Sequence, residues 1–506
     1  MTAPTPDPDP APAPEPLGLV DLAARRLGGM VLAANDEFFA PKEHLLEPLP
    51  AVFDPHAYAD RGKVMDGWET RRSHDDGNVD WCVVRLGVPG VVEQVVVDTS
   101  FFRGNFPEAF ALEGCVSQGP PTGDTTWFAL VERTPLQGDA VQRFPVAAAW
   151  RATHVRLSIF PDGGVARLRV LGRGLPDLHD LADASGRFDL AAVVNGGRAV
   201  ACSDAFFSSP TNLIQIGDAR DMSDGWETRR RRGPGEDLAV LELAAAGVVE
   251  RLEIDTTNFK GNYPDRVVVE ALHAPDVDPA DLPIDGWATL LPPTPLEPHQ
   301  RHVFDVTADS AEATHLRLRV LPDGGVARLR AFGPVTEDGW RQVGLRRLRT
   351  ANPSAAGAAL LACCGSTRWV EQMLEVRPFD DPEQLQQVAG RIWDGLAPQD
   401  WLEAFAAHPR IGERTTTKRW SSDEQAGART AEQATLDALE QGNRDYEERF
   451  GHVFLIRAAG RTADEMLAAL RERLDNDPDT EVHVAAAQQR EIMALRLDKL
   501  LREGGA

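Results

Sequence analysis

The chain has 506 residues, 42% hydrophobic and 26% charged, with a net charge of -25; that length exceeds one ordinary core, so several globular units are expected. The acidic excess excludes nucleic acid as a partner, because phosphate binding is driven by clustered Lys and Arg, and an anionic substrate then needs a locally basic pocket. No apolar run approaches the roughly 20 residues that span a bilayer, and five cysteines without framework or metal-ligand spacing predict reduced thiols in a cytoplasmic, non-membrane protein.

In chain order, residues 1–17 predict a disordered Pro-rich tail: MTAPTPDPDPAPAPEP has neither the basic nor the apolar region of a signal peptide. Two copies of one domain follow, at 18–175 and 186–335. DGWETRR stands at Asp66–Arg72 and again at Asp224–Arg230, PDGGVARLR at Pro161–Arg169 and Pro322–Arg330, and AANDEFF at Ala33–Phe39 answers ACSDAFF at Ala201–Phe207. Between them VVEQVVVDTSFFRGNFP, Val91–Pro107, answers VVERLEIDTTNFKGNYP, Val248–Pro264. A fixed block order with drifting offsets means duplication with loop insertions and deletions. Segments such as VVEQVVVDT, THVRLSIF and VARLRVLG are short, β-branched and partly alternating, with Pro-Asp-Gly-Gly turns between. They predict two tandem antiparallel β-sandwiches of the jelly-roll type.

After about Thr336 the composition turns to Ala, Leu, Glu, Gln and Arg with helical periodicity, and residues 346–506 predict an all-α bundle of about seven helices.

In DGWETRR, an Asp and a Glu three residues apart suit acid–base work and two Arg forks suit a carboxylate. The structural alternative is a buried Trp ringed by ion pairs. FFRGNFP and NFKGNYP mount an Asn on a loop at a strand end, as a site residue or as a turn corner. These blocks, with LGGMVLAANDEFFAPKEHLL, resemble allantoicase, built from two tandem repeats of a galactose-binding-like sandwich. The resemblance implies hydrolysis of allantoate, a carboxylate bearing two ureido groups, to (S)-ureidoglycolate and urea. It suggests Glu69 and Glu227 as catalytic carboxylates, with Asp66, Arg71, Arg72, Asn105, Asp224, Arg229, Arg230 and Asn262 binding substrate. Which copy is active stays open. So does a divalent metal: His44, His154, His302 and His315 lack H-x-H or H-x3-H spacing, so a zinc or manganese site would assemble from distant segments.

In the helical region, His408 shares a helix face with Trp401, Ala404 and Phe405, and Pro409 ends that helix. It suits proton transfer or a C-cap. Ser421-x-x-Glu424 fits a capping box, and Arg496 places a cation on an apolar stripe, where it needs an anion. Cys363-Cys364 reads as buried and apolar. CCGSTRW, HPRIGE, SSDEQ, YEERFGHVFLIRA and LRL together resemble the 2-oxo-4-hydroxy-4-carboxy-5-ureidoimidazoline (OHCU) decarboxylases. The resemblance implies a decarboxylation to (S)-allantoin without cofactor, with His408, Glu424 and Arg496 catalytic. It implies substrate binding by Pro409, Ser421, Ser422, Asp423, Gln425 and the backbone of Phe454, Leu455, Ile456, Arg457 and Ala458. One departure is FGHVF at Phe450–Phe454, where many members read FGFPF.

The implied reactions are both steps from urate toward ureidoglycolate, though not adjacent ones. Small-molecule partners and a homo-oligomer are expected. A rival account makes the sandwiches a ligand-binding module for carbohydrates or anions, with only one domain of the chain catalytically active.

Overall fold

The computed structural model describes residues 17–73, 75, 77–183, 185–306, 311–408 and 433–503. Two compact units divide the chain, Met1–Gly339 and Trp340–Ala506.

The first unit contains the duplicated sandwich, and every strand pairing in it is antiparallel. In the first copy the 19-residue strand Asp80–Asp98 serves both layers. Its leading half pairs with Met30–Ala34 and Arg151–Phe160, and its trailing half with Arg167–Gly174 and Val141–Pro145. Ala109–Cys115 and Phe128–Pro135 complete the first layer. In the second copy the same course is broken into Asp237–Gly247 and Arg251–Asp255. The two layers are accordingly separate sheets there: five strands ordered Arg198–Cys202, Asp237–Gly247, Ala313–Leu321, Arg266–Leu272, Ala288–Pro295, and four ordered Phe188–Asp189, Arg328–Gly333, Arg251–Asp255, Arg301–Asp305. Alternation explains the packing. On Arg151–Phe160, Val155, Leu157 and Ile159 are fully buried, and on Ala313–Leu321 Leu316, Leu318 and Val320 are, because period-two side chains turn one face of each strand to the shared core.

Eight α-helices occur among the described residues: Glu337–Thr350, Pro353–Cys364, Thr367–Glu375, Pro382–Asp394, Pro398–Ala406, Gln433–Phe450, Ala463–Arg473 and Pro478–Glu503. Side chains of Asn352, Ser366, Asp381 and Thr462 accept backbone N–H groups at the starts of four of them, which satisfies donors that a helix leaves unpaired. Trp369, Trp393 and Trp401 lie in one core, and each indole N–H reaches a backbone carbonyl, at 3.1, 3.0 and 3.1 Å. A second core gathers Leu439, Tyr446, Phe454, Met466 and Leu470.

Candidate active sites

Three repeated blocks, distant in sequence, meet at one corner of each sandwich. In the first copy Trp68–Glu69 pairs with Gly164–Val165, and the buried Trp68 donates its Nε1–H to Asp36 O at 2.8 Å. Trp226–Glu227 pairs with Gly325–Val326 in the second, and Trp226 Nε1 donates to Asp204 O at 2.9 Å. Gly163 stands at the junction with φ 139°. A Cβ there would lie 2.7 Å from Pro107 N and 2.8 Å from Asn105 O, so glycine is required both for conformation and for close approach. The Pro-Asp-Gly-Gly turn thereby lets the Asn loop reach the Trp-Glu bridge. Asn105 Nδ2 donates to Glu69 Oε1 at 2.6 Å, and Asn262 Nδ2 to Glu227 Oε1 at 2.5 Å.

The remaining motif residues are held by the scaffold. Asp66 Oδ2 accepts from Arg167 Nη2 at 2.7 Å and from Val52 N at 2.9 Å. Burial acts to raise the Asp66 carboxyl, but these donors prevail and hold it below the usual range. Asp224, 4% exposed along its side chain, binds Arg328 at 3.1 Å and, from the first copy, Arg26 at 3.0 Å. Its carboxyl is likewise held low: burial acts to raise it, while the Arg220 backbone N–H and the Arg26 charge outweigh that. Asp66 Oδ2 and both oxygens of Asp224 are thus occupied by arginines of the chain itself. Arg71 Nε binds Asp36 Oδ2 at 2.6 Å and Arg229 Nε binds Asp204 Oδ2 at 2.8 Å, with the guanidinium carbons 5.2 Å from the Phe38 ring and 4.8 Å from the Phe206 ring. Both side chains are 64% exposed. Arg72 and Arg230 are exposed too.

Glu69 differs from Asp66 in environment. Burial pushes its carboxyl above the usual range and the Asn105 amide offsets only part of that. It faces a cavity of about 560 Å³ walled by Phe39, Phe53, Met65 and Phe101 and rimmed by Arg61, Lys63 and Arg103. Phe101 adopts φ 70°, a strained conformation for an aromatic residue, and its ring stacks on Phe53 at 5.5 Å. The second copy has Asn258 at that position, φ 75°, a residue that tolerates it at little cost. Backbone strain of this kind persists where surrounding structure enforces it, and it clusters at functional sites.

In the helical unit, Pro398–Ala406 carries the buried Trp401, Ala404 and Phe405 and ends just before His408, whose N–H reaches Phe405 O at 3.1 Å. The Arg496 guanidinium lies against the imidazole, Nη1 3.4 Å from Nε2 and Nη2 3.5 Å from Nδ1. Arg496 is 8% exposed. Phe454, Leu455, Ile456 and Ala458 are buried and Arg457 is exposed, its N–H held by Gln488 Oε1 at 2.9 Å. Pro409, Ser421, Ser422, Asp423, Glu424 and Gln425 lie outside the described residues. At the departure from the family pattern, the half-buried His452 ring packs 5.2 Å from Phe405 and 5.4 Å from Tyr446; burial lowers its pKa, so it fills the space as a neutral aromatic. Cys363 and Cys364 are buried and their thiols are pushed up to about 12, which removes the thiolate that nucleophilic work needs.

Two features escaped the motifs. Glu481, fully buried, is hydrogen-bonded by Tyr446 Oη, by Arg473 Nε at 2.8 Å and by Asn476 Nδ2 at 2.6 Å, while Arg473 Nη1 donates to Leu455 O at 2.5 Å. This network anchors the start of the 454–458 segment. Gln489, two turns before Arg496 on Pro478–Glu503, is fully buried and donates to Cys364 O at 2.8 Å. The only sequence signal for either was a polar residue on an apolar stripe. Among the described residues no three His, Cys, Asp or Glu side chains form a group suited to a metal ion.

The allantoicase repeat profile matches residues 20–175 and 188–336. The chain belongs to the allantoicase family. It is similar to probable allantoicase 1 of Burkholderia mallei, 46% identical over 62% of this chain and 94% of that protein, and to the probable allantoicase of Streptomyces coelicolor, 44% identical over 64% and 88%. The crystal structure of allantoicase from Saccharomyces cerevisiae superposes with a TM-score of 0.51 at 32% identity, covering 63% of this chain and 93% of that one. Residues 349–498 match the OHCU decarboxylase family. An allantoicase is thus joined to an OHCU decarboxylase in one chain, a bifunctional enzyme of urate catabolism acting on small molecules. The allantoicase part releases urea from allantoate, and the decarboxylase part yields (S)-allantoin. No described helix is long and apolar enough to cross a membrane.

Proposed function

We propose that allantoate is hydrolysed in the first sandwich, at the cavity floored by Glu69 and Asn105. The observation that carries this is the placement of Glu69, hydrogen-bonded by Asn105, at a cavity rimmed by cations, with its carboxyl raised by burial above the usual range, the direction that suits a general acid for a poor leaving group. The bond between the central carbon and one ureido nitrogen breaks as Glu69 gives that nitrogen a proton. Urea leaves, water adds its hydroxyl to the same carbon, and its remaining proton returns to Glu69. Asn105 keeps Glu69 directed into the cavity. Asp66, held ionised by Arg167, acts on the fold.

In the helical unit the proximity of Arg496 to His408 supports an anion site beside a proton donor. Arg496 holds the substrate anion, loss of carbon dioxide leaves an electron pair on the ring carbon, and His408 protonates that carbon from one face. Glu424 and the 421–425 segment complete the site in this reading. The decarboxylation uses no cofactor, and the sandwich reading names no metal ligand. Five unpaired cysteines among the described residues support a cytoplasmic location. Exposed Phe206 and Phe207, 62% and 59%, favour a homo-oligomer.

The test is a double dissociation in the full chain. Glu69→Gln abolishes ureidoglycolate formation and spares allantoin formation, and His408→Ala does the reverse. Wild-type hydrolysis by Glu69→Gln contradicts the first assignment, and wild-type yield and handedness of allantoin from His408→Ala contradict the second.

A further inference from the structure

The two copies share their motif residues but differ beside them. Asp66 follows Phe39 by 27 positions, whereas Asp224 follows Phe207 by 17. The ten additional residues of the first copy include a hairpin in which Tyr58 pairs with Lys63 and Ala59 with Gly62. Its turn and return strand bring Arg61 and Lys63 to the rim of the Glu69 cavity. Both are positioned by aromatic faces. Arg61 Nη1 donates to Phe38 O at 2.7 Å with its guanidinium carbon 4.7 Å from the Phe38 ring, and Lys63 Nζ lies 4.5 Å from the Phe53 ring.

We infer that Arg61 and Lys63 hold the carboxylate of allantoate and thereby confine hydrolysis to the first copy; this rests on the Glu69 cavity being the allantoate site. The other cations near it are already engaged: Arg71 with Asp36 at 2.6 Å and Arg103 with Asp139 at 2.8 Å. Among the described residues Arg61 and Lys63, both exposed, have no carboxylate partner, which leaves their charge available at the cavity rim. In a chain of net charge -25 an anionic substrate is repelled by the average field, and two unneutralised cations at one cavity reverse that locally. The second copy has no such hairpin. There Met222 lies in the short connection, its Sδ 3.7 Å from Asn262 Nδ2, and the cation of that connection, Arg220, pairs with Asp224 at 3.6 Å. Glu227 and Asn262 keep their pairing with Lys260 in the place of Arg103 but without a counterpart of the Arg61–Lys63 hairpin.

Arg61→Gln and Lys63→Gln are each expected to raise KM for allantoate on the order of tenfold, with kcat changed by less than about threefold, because a charge-assisted bond made equally in ground and transition states is lost. N-carbamoylglycine, a carboxylate with one ureido group, loses inhibitory affinity in both variants, while its neutral amide does not. Lys63→Arg keeps the wild-type KM within about threefold, and Lys260→Ala in the second copy leaves kcat/KM within about twofold. A wild-type KM in the doubly substituted chain, with Glu69→Gln inactive, overturns the anchor and leaves the Glu69 assignment standing. Active Glu69→Gln overturns the assignment itself. A KM raised by Lys260→Ala as strongly as by Lys63→Gln shows that the second copy binds substrate and overturns the confinement.

Discussion

Asn105→Ala isolates the contribution of one hydrogen bond to acid catalysis. Asn105 Nδ2 donates to Glu69 Oε1 at 2.6 Å, a bond that favours the ionised carboxylate against the burial that disfavours it. A hydrogen bond to a charged group contributes about 1.5 to 3 kcal/mol, and one pH unit corresponds to about 1.4 kcal/mol. Because Glu69 is partly open to solvent, the lower end applies, and the variant should raise its pKa. If Glu69 acts when protonated, kcat/KM falls as pH rises through that pKa. The alkaline limb of the pH profile for urea release should therefore move to higher pH in Asn105→Ala, even as the peak rate drops from lost orientation. An alkaline limb in the same place, or one displaced downward, refutes Glu69 as the acid.

Gly163→Ala places a Cβ 2.7 Å from Pro107 N at φ 139°; about 1 to 3 kcal/mol of destabilisation is expected, read as a lower Tm together with reduced urea release. Glu481→Gln leaves the Arg473 charge in the buried network without its counter-ion and should cost the helical unit about 3 to 5 kcal/mol in denaturant titration. Burial raises Asp189 to about 6 despite Arg330. A carboxyl raised on folding contributes stability that is complete below its unfolded value near 4 and is lost as pH rises to about 6, so Asp189→Asn should flatten the pH dependence of Tm in that window. Arg496→Ala should abolish (S)-allantoin formation measured by circular dichroism, with the overall fold retained in far-UV spectra.

The duplication and the sandwich class were legible because identity between distant blocks and strand alternation are local signals. The Glu69–Asn105 pair belonged to blocks already singled out, though nothing in the spacing said that they touch. The role of Asp66 was not legible: its partner Arg167 lies 101 positions away, and a carboxylate bound by a buried Arg looks the same in sequence as one facing a substrate. The cationic hairpin carried no such signal, since Arg61 and Lys63 stand in a stretch that the two copies do not share. In the helical unit Arg496 was visible as a cation on an apolar stripe. Arg473 and Glu481 carried the same signal, but their mutual burial depends on packing between separate helices.

Whether allantoate binds and reacts at Glu69 in the first sandwich is decided by a crystal structure of Glu69→Gln soaked with allantoate. Intact substrate is expected in the first copy, a ureido nitrogen against residue 69 and the carboxylate toward Arg61 and Lys63, with the Glu227 corner empty. Substrate bound at Glu227, with the first cavity vacant, contradicts that assignment.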